Sequence, residues 1–366
     1  MVDDKKLSVG NTSARASTLE IRRGLHQALP NANGRDLALA IGNFDGVHEG
    51  HRAILARLTQ YAAQHNLQPA VMSFEPLPRE YFSAKSTDTK LIDAQPARLF
   101  SVIEKAAYLQ RDGVEGLFIA KFNQAFSSQT PAQFIATLVN LNLRFLMVGA
   151  DFRFGAQRAG DVHTLQQAAL AQGFTVECLP DFMLYGVRMS STHVRSMLAQ
   201  WPMQTHFSTL GAPNSAKEMP EDALNSGAFR HPYSIVGRVI HGKKLGRTLG
   251  FPTVNISLGR ARRRKPALHG VFAVKCSLVS RGLEGVAGEA LQTWNGVANL
   301  GTNPAVQSDG KYSLEAFLFD FSGDLYGKRL RIEFVAKIRN EANFASLDAL
   351  MLQMHDDCAK AKAWLA

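Results

Sequence analysis

Leu37–Leu58, with the sequence LALAIGNFDGVHEGHRAILARL, is the stretch from which the rest of the chain can be interpreted. Its first five residues are an apolar run, which predicts a strand buried on both faces. Gly42, Gly46 and Gly50 interrupt this run, and apolar residues recur at helical spacing from Ile54 onward. A strand, a glycine turn and a helix start suit phosphate binding, because the first backbone N–H groups of a helix have no partners within it.

Two histidines follow this turn. His48 and His51 are three residues apart, so a helix places both imidazoles on one face of its first turn. Imidazoles at an anion-binding helix start can stabilise negative charge that develops on a phosphate. Spacing alone leaves a surface position or a metal site open as alternatives.

The full string GNFDGVHEGH, residues 42–51, resembles the HxGH signature of the nucleotidyltransferase superfamily. It has the form GxFDGxHxGH, found in bacterial bifunctional riboflavin kinase/FMN adenylyltransferases, also called FAD synthetases. The resemblance implies that His48 and His51 are catalytic. It also implies nucleotide binding by Gly42, Phe44, Gly46 and Gly50.

The length and the net charge of the chain indicate its number of domains and the class of its ligands. With 366 residues the chain exceeds a usual single domain, so we expect two domains. The net charge of +10 suits polyanionic ligands such as nucleotides and, on charge alone, leaves nucleic acid binding open. Part of the charge lies in the run Arg260–Lys265, which is typical of a solvated loop between strands. The sequence contains no recognised nucleic-acid motif, so we expect no nucleic acid partner.

Cysteines and the N-terminus indicate the compartment. Cys178, Cys276 and Cys358 lie far apart without CxxC pairing, which argues against a disulfide framework and a zinc site. The first residues lack the apolar core of a signal peptide, and no stretch reaches the length of a membrane span. We expect a cytoplasmic protein without a membrane partner, whose residues 1–19 form a polar, disordered extension.

Short apolar strands alternate with helices in the first half of the chain. Further strands are predicted at Ala70–Phe74, Gly116–Ala120 and Phe145–Val148, with helices over residues 96–109 and 134–138. The two prolines in residues 75–79 predict a loop. This alternation indicates a Rossmann-like parallel sheet, which binds ligands at the carboxyl ends of its strands.

Two motifs follow predicted strands. GADFRFG, residues 149–155, continues to Gly160-Asp161, and its glycines favour a ligand-lining loop over core packing of the aromatics. MSSTHVR, residues 189–195, combines hydroxyls with an arginine at a helix start, where the hydroxyls could instead be helix caps. The strings resemble the family's GxDFxFGxxxxGD and ISSTxIR motifs, and the second implies triphosphate binding and charge stabilisation by Arg195.

The same resemblance extends to neighbouring positions. It implies nucleotide binding by Asn123, Asp151, Ser190, Ser191 and Thr192. It implies flavin binding by Phe74, Pro76, Pro78, Phe152 and Phe154.

Composition changes after this region. Residues 202–228 are rich in Pro, Ser and Asn without clear periodicity, which predicts a linker between domains at 20–201 and 229–366. The linker is longer than the family's usual connection. Beyond it, residues alternate as in strands around Phe272 and Leu330, which predicts a small antiparallel β-barrel. A helix capped by Ser346 is predicted to end the chain and pack on the barrel.

The second domain has its own phosphate motif, GKKLGRTLGFPTVN, residues 242–255. Glycines at every fourth position among basic residues can bring backbone donors and positive charge to a polyphosphate. The string resembles GxxxGRxxGxPTAN of riboflavin kinases, with Val254 in place of alanine. This implies that Thr253 and Asn255 help to hold Mg²⁺ on the nucleotide. It implies nucleotide binding by Gly242, Lys243, Gly246, Arg247 and Gly250.

Glu315 is a carboxylate on an otherwise apolar strand face. In a strand over Leu314–Phe321 it shares a face with Phe317, Phe319 and Phe321. Such a glutamate is either a satisfied ion-pair partner or a functional group. The context LEAFLFDF resembles the family's LExxxxDF, in which the glutamate is the general base. The sequence departs from the family at Ala316-Phe317 and over residues 301–306.

The sequence therefore predicts a Rossmann-like nucleotidyltransferase domain, an antiparallel β-barrel riboflavin kinase domain and a C-terminal helix. The resemblance implies ATP-dependent phosphorylation of riboflavin to FMN, then adenylylation of FMN to FAD, with Mg²⁺ as cofactor and ATP as co-substrate. One alternative is an adenylyltransferase whose barrel only binds flavin as a sensor, and another is a nucleic-acid-binding protein. Oligomerisation stays open.

Overall fold

A computed structural model describes residues 18–25, 34–86, 96–184, 186–207, 232–242, 250–258, 265–302 and 312–366. The first half is built on a parallel six-stranded sheet in the order β1-β4-β3-β2-β5-β6. Its strands are β1 (Glu20–Arg23), β2 (Leu37–Ile41), β3 (Gln68–Glu75), β4 (Gly116–Lys121), β5 (Leu143–Gly149) and β6 (Thr175–Leu179). All five residues of the central strand β2 are buried, as its apolar run predicts.

Helices cover this sheet. They are α1 (Glu49–Gln64), α2 (Pro78–Lys85), α3 (Val102–Arg111), α4 (Gln124–Ser127), α5 (Pro131–Val139), α6 (Val162–Gln172) and α7 (Ser191–Ala199), with a 3₁₀ turn at Ala156–Arg158 and a hairpin of β7 (Met183–Leu184) and β8 (Val187–Arg188).

Two local predictions need correction. A helix begins at Pro78 inside the predicted loop, because proline at the first helical position loses no hydrogen bond. The helix predicted over residues 96–109 begins only at Val102. Ser101 caps it, since the Ser101 side chain accepts a hydrogen bond from the backbone N–H of Glu104.

The second half is a closed six-stranded antiparallel barrel in the order β10-β13-β12-β11-β14-β9, and this confirms the predicted barrel. Its strands are β9 (Ser234–Ile240), β10 (Thr253–Ile256), β11 (Gly270–Val279), β12 (Gln292–Thr302), β13 (Tyr312–Leu318) and β14 (Arg329–Arg339). Two helices accompany it, α8 (Leu283–Ala287) and α9 (Leu347–Leu365). Ser346 caps α9 as predicted, and Ala361 of α9 packs on an apolar cluster of the barrel.

Helix α3 joins the two halves. The hydroxyl of buried Tyr233 donates a hydrogen bond of 3.2 Å to the carbonyl of Leu99, just before α3. The backbone N–H of Val236 in β9 donates to the carboxylate of Glu104 in α3, at 2.8 Å. One apolar cluster contains Leu99 and Trp201 together with the barrel interior. The sheet and the barrel are therefore connected by shared core and not only by the chain.

The C-terminal end of the predicted extension and the N-terminal end of the predicted linker pack on the folded domains, although their polar composition predicts disorder and a linker. Leu19 is buried in the core of the sheet, whereas residues 1–17 lie outside the described part. The backbone N–H of Gln204 donates to the carbonyl of Lys337 in β14, at 2.7 Å, so the chain after Trp201 lies on the barrel. Residues 208–231 of the predicted linker lie outside the described residues.

None of the helices in the described ranges combines the length and the apolar character needed to cross a membrane.

Candidate active sites

The two histidines meet at the start of α1. His48 occupies the N-cap position and is only 3% exposed. Its imidazole stacks on that of His51, with 3.8 Å between the ring centroids, and the ring of Phe44 lies 4.9 Å from His51 on centroids. The predicted pairing of the two imidazoles on one face is confirmed by this stacking.

Hydrogen bonds around Ser191 define the tautomer of His48. The hydroxyl of Ser191 lies 2.9 Å from the carbonyl oxygen of Asp45 and 3.3 Å from Nε2 of His48. Because a carbonyl can only accept, the hydroxyl hydrogen goes to Asp45. Nε2 of His48 therefore carries the hydrogen that reaches Ser191, and Nδ1 is left as the acceptor.

Burial keeps both imidazoles uncharged. Desolvation lowers the pKa of His48 to about 4, against the attraction of Asp45. Burial also lowers the pKa of His51 well below its usual value, assisted by the neighbouring His48 and by the positive charges of Lys105 and Arg195. Nδ1 of each ring is buried and has no hydrogen-bond partner among the described residues. At neutral pH these rings are neutral hydrogen-bonding groups.

Arg195 stabilises the loop that carries the histidines. Its Nη2 lies 2.5 Å from Oδ2 of Asp45, and its Nε donates to the carbonyl of Ala97. The buried carboxylate of Asp45 also accepts from the backbone N–H groups of Leu99 and Phe100. The structure thus places Arg195 in an ion pair beneath the loop. Its predicted role in charge stabilisation stays a prediction.

Two cavities adjoin at the carboxyl ends of the strands. The histidine cavity, of about 360 Å³, contains His48, His51, Ser190, Ser191 and Arg188 in its walls. The aromatic cavity, of about 610 Å³, is lined by Phe74, Pro78, Phe82, Phe122, Phe126, Phe134, Phe152 and Phe154, and by Gly42 and Asn43. Asp151 lines both cavities, so one carboxylate marks their junction.

The predicted glycines and Phe44 mainly shape the loop. Gly46 has a φ of +91°, and a Cβ there would lie 2.7 Å from the side chain of Leu99. A Cβ at Gly50 would lie 3.0 Å from the carbonyl oxygen of Met189, so α1 approaches the loop before α7 closely. Phe44 is 1% exposed and belongs to the core. These residues bring the histidine and serine motifs together.

Several predicted ligand residues are brought to the cavities, whereas others lie elsewhere. Ser190 lines the histidine cavity and also caps α7 by accepting from the N–H of His193, at 3.2 Å. Thr192 is exposed and is absent from the walls of both cavities. Asn123 caps α4, since its side-chain oxygen accepts from the N–H of Phe126 at 2.9 Å. Pro76 is also absent from the aromatic walls.

Sequence reasoning missed Arg188. Its guanidinium bridges Asp151, at 3.0 Å, and Asp181, at 2.8 Å, across the wall of the histidine cavity. Its position two residues before Ser190 was the available signal, but β8 had no visible strand pattern. Among the described residues of the cavity walls, Arg188 supplies a positive charge, whereas Arg195 is not part of these walls.

The barrel has a cavity of about 300 Å³ between its outer wall and α9. Glu315 and Thr253 line it, and the hydroxyl of Thr253 lies 3.4 Å from Oε2 of Glu315. Asn255 and Asn299 lie directly opposite Glu315 on the two neighbouring strands. Opposed residues share a face, so these polar groups project on one side of the wall. Asn299 was not predicted.

Glu315 shares its strand face with Phe317, as predicted, but the strand is shorter than the predicted Leu314–Phe321. Strand β13 ends at Leu318, because Asp320 has a φ of +54° and turns the chain. Leu314, Ala316 and Leu318 pack into the barrel interior, so Glu315 points outward on the alternate face. Phe317 accompanies it toward the cavity beneath α9.

The phosphate motif of the barrel is only partly described. Lys243, Gly246 and Arg247 lie outside the described residues, whereas Gly250 has the left-handed φ of +82°. A Cβ at Gly242 would overlap the amide of Asn255, so this glycine lets the amide approach the backbone. Thr253 and Asn255 offer neutral oxygen ligands, which fit Mg²⁺ only together with anionic phosphates.

A pH dependence of stability follows from the buried His48. Its folded-state pKa of about 4 lies below the unfolded value of 6.5, so the unfolded chain binds more protons between these values. We expect this group to lower the free energy of unfolding by about 3 kcal/mol as the pH falls from 7 to 4. Urea titrations of the wild-type protein and of H48Q at several pH values between 4 and 7 measure how the free energy of unfolding of each depends on pH. Equal pH slopes in the two proteins would contradict it.

The first half combines a Rossmann-like sheet with two stacked neutral histidines, and it is joined to a closed barrel whose cavity contains the carboxylate of Glu315. Together these features define a two-domain nucleotide-dependent transferase. Family models agree with this class. Residues 31–193 match the model described as FAD synthetase, and residues 229–365 match the model described as riboflavin kinase.

Relatives match over most of their length. The chain is 40% identical over 350 residues to a bifunctional riboflavin kinase/FMN adenylyltransferase of Pseudomonas fluorescens, covering 95% of this chain and 98% of the relative. It is 42% identical over 348 residues to the protein of that name from Haemophilus influenzae, covering 94% and 99%. The chain belongs to the family of bifunctional riboflavin kinase/FMN adenylyltransferases.

A solved structure shares the fold. A Streptococcus pneumoniae protein titled macrolide-efflux protein aligns with a TM-score of 0.69 at 24% identity, covering 94% of this chain and 100% of that one. At this identity the likeness concerns fold alone.

Proposed function

We propose that this chain makes FAD from riboflavin in two steps at two sites. The barrel, within residues 229–366, phosphorylates riboflavin to FMN with ATP. The α/β domain, within residues 20–201, joins FMN to the adenylyl group of a second ATP and releases pyrophosphate. The observation that carries the proposal is the pair of adjoining cavities, one with stacked histidines and one aromatic, that share Asp151.

In the α/β domain the aromatic cavity suits the flat isoalloxazine ring, which stacks on phenylalanine faces. A phosphate oxygen of FMN attacks the α-phosphorus of ATP, the new O–P bond forms, and the bond to the pyrophosphate oxygen breaks. The N–H of neutral His51 and the Nε2–H of neutral His48, which turns from Ser191 to the substrate, donate hydrogen bonds to the phosphate oxygens as charge develops there. Burial strengthens such bonds, and no covalent protein intermediate is required.

In the barrel Glu315 accepts the proton of the riboflavin 5′-hydroxyl as its oxygen attacks the γ-phosphorus of ATP, and ADP leaves. Thr253, at 3.4 Å, donates to the carboxylate and orients it before substrate binds. The cavity beneath α9 combines Phe251, Phe317 and Phe344 with this carboxylate, which suits an apolar ring that carries a reactive hydroxyl.

Magnesium fits the barrel site as a partner of the nucleotide. Thr253 and Asn255 would contribute neutral oxygen ligands, while the phosphates supply the charge. When bound, the ion neutralises charge on the phosphates during transfer.

Chromatography of flavins after incubation with riboflavin, ATP and Mg²⁺ tests the proposal. We expect FMN to appear first and FAD to follow. If riboflavin is unchanged while supplied FMN becomes FAD, the barrel only binds flavin and half of the proposal fails. If neither flavin is converted, the whole proposal fails.

A further inference from the structure

Helix α3 buries a lysine behind the loop that leads to the histidines. Lys105 is 4% exposed, and its ammonium donates to the carbonyl of Asn43 and to the hydroxyl of Ser73, both at 2.6 Å. The Ser73 hydroxyl in turn donates to the same Asn43 carbonyl, at 3.0 Å. Two hydrogen bonds thus converge on one backbone carbonyl of the loop between β2 and α1.

Within the described part of the chain, no carboxylate forms an ion pair with Lys105, and the three carboxylates that act on its charge are paired with arginines. Asp45 pairs with Arg195, and Glu75 and Glu80 pair with Arg98. These carboxylates favour the ammonium over a longer distance, whereas Arg98 and burial disfavour it. A buried cation without such a partner is costly, and proteins keep such groups mostly where they act.

The loop connects this cation to both cavities of the α/β domain. Asn43 lines the aromatic cavity, and His48, five residues later, lines the histidine cavity. The charge of Lys105 also reaches His51, whose protonation it disfavours. Displacement of the Asn43 carbonyl would therefore shift the flavin wall relative to the imidazoles.

We propose that Lys105 is a positioning residue for FMN adenylylation, which holds the Asn43 carbonyl and supplies a buried positive charge beneath the phosphates. The inference rests on the proposed function of the α/β domain. Lys105 does not touch substrate. It acts through Asn43 and through its field on the reacting phosphates.

The variant K105M keeps the length of the side chain and removes its charge and donors. We expect kcat for FAD formation from supplied FMN to fall roughly 10²-fold, with KM for FMN and ATP changed less than about threefold. Riboflavin phosphorylation, measured on the same sample, is expected to stay at the wild-type rate and reports correct folding. K337M, which removes a buried lysine of the barrel, is the matched control and should leave FAD formation unchanged.

The pH profile separates a charge effect from a packing effect. Burial lowers the pKa of Lys105 to about 8, with Asp45, Glu75 and Glu80 opposing the shift and Arg98 adding to it. The ammonium is charged below this pH, so wild-type kcat for FAD formation should fall as the pH rises above about 8. K105R, whose guanidinium stays charged, should lack this fall.

The kcat values and pH profiles of the Lys105 variants can overturn the proposal. Wild-type kcat in K105M, or an alkaline fall that persists in both K105M and K105R, contradicts it. If K105M also loses riboflavin phosphorylation and so is misfolded, S73A decides, because it removes one partner of the ammonium. We expect a roughly tenfold lower kcat in S73A, and an unchanged kcat overturns the inference. Wild-type protein that forms no FAD refutes the proposed function instead.

Discussion

Replacement of Glu315 by glutamine is expected to lower kcat for riboflavin phosphorylation by about 10²–10⁴-fold, the usual contribution of a general base. The amide keeps the size and polarity of the carboxylate, so Thr253 retains a hydrogen-bond partner in the cavity beneath α9. The variant loses only the ability to accept the proton of the 5′-hydroxyl. ADP release with saturating riboflavin and ATP measures the effect.

The control is a glutamate of the same barrel outside the cavity. Glu333 of β14 pairs with Arg331, and E333Q should phosphorylate riboflavin at the wild-type rate. E315Q should still convert supplied FMN to FAD, because the histidine cavity lies in the other domain. Wild-type ADP release by E315Q would remove Glu315 from the reaction.

The alanine variants H48A and H51A are expected to lose FAD formation and to keep riboflavin phosphorylation, the reverse of E315Q. Each removes a neutral imidazole from the start of α1, and loss of one preorganised donor to a developing charge lowers kcat about 10²–10³-fold. FAD formation from supplied FMN measures this loss. Riboflavin phosphorylation should stay near the wild-type rate in both variants, since neither side chain lines the barrel cavity.

His65 provides the matched control because it follows the opposite end of the same helix. Its ring stacks on Tyr61 with 4.1 Å between centroids, and it lies outside both cavities of the α/β domain. H65A should therefore form FAD like the wild type. If H48A or H51A lost both activities while remaining folded, the assignment of two separate sites would be wrong.

Because the two halves share a core, a variant in one domain can also disturb the folding of the other. Tyr233 and Val236 of the barrel bond to Leu99 and Glu104 around α3, and Leu99 also donates to Asp45 beneath the histidine loop. Each variant therefore needs both activities measured on one sample. An intact second activity shows that the shared core has formed.

Local patterns were enough to predict the elements at the centre of each half. The apolar run of β2, the glycine turn and the apolar spacing of α1 act between residues close in the chain. Alternation likewise predicted the barrel strands, and Ser346 predicted the start of α9. The order of the motifs along the chain was enough to indicate the family.

The contacts that shape the sites join residues far apart in the chain. Arg195 meets Asp45 across 150 positions, and Lys105 meets Asn43 across 62. No local periodicity encodes such pairs, because the order of strands in the sheet brings them together. The outward face of Glu315 depended on the turn at Asp320 and on closure of the barrel. Burial, which keeps the histidines neutral and isolates the lysine, arises only when these layers pack.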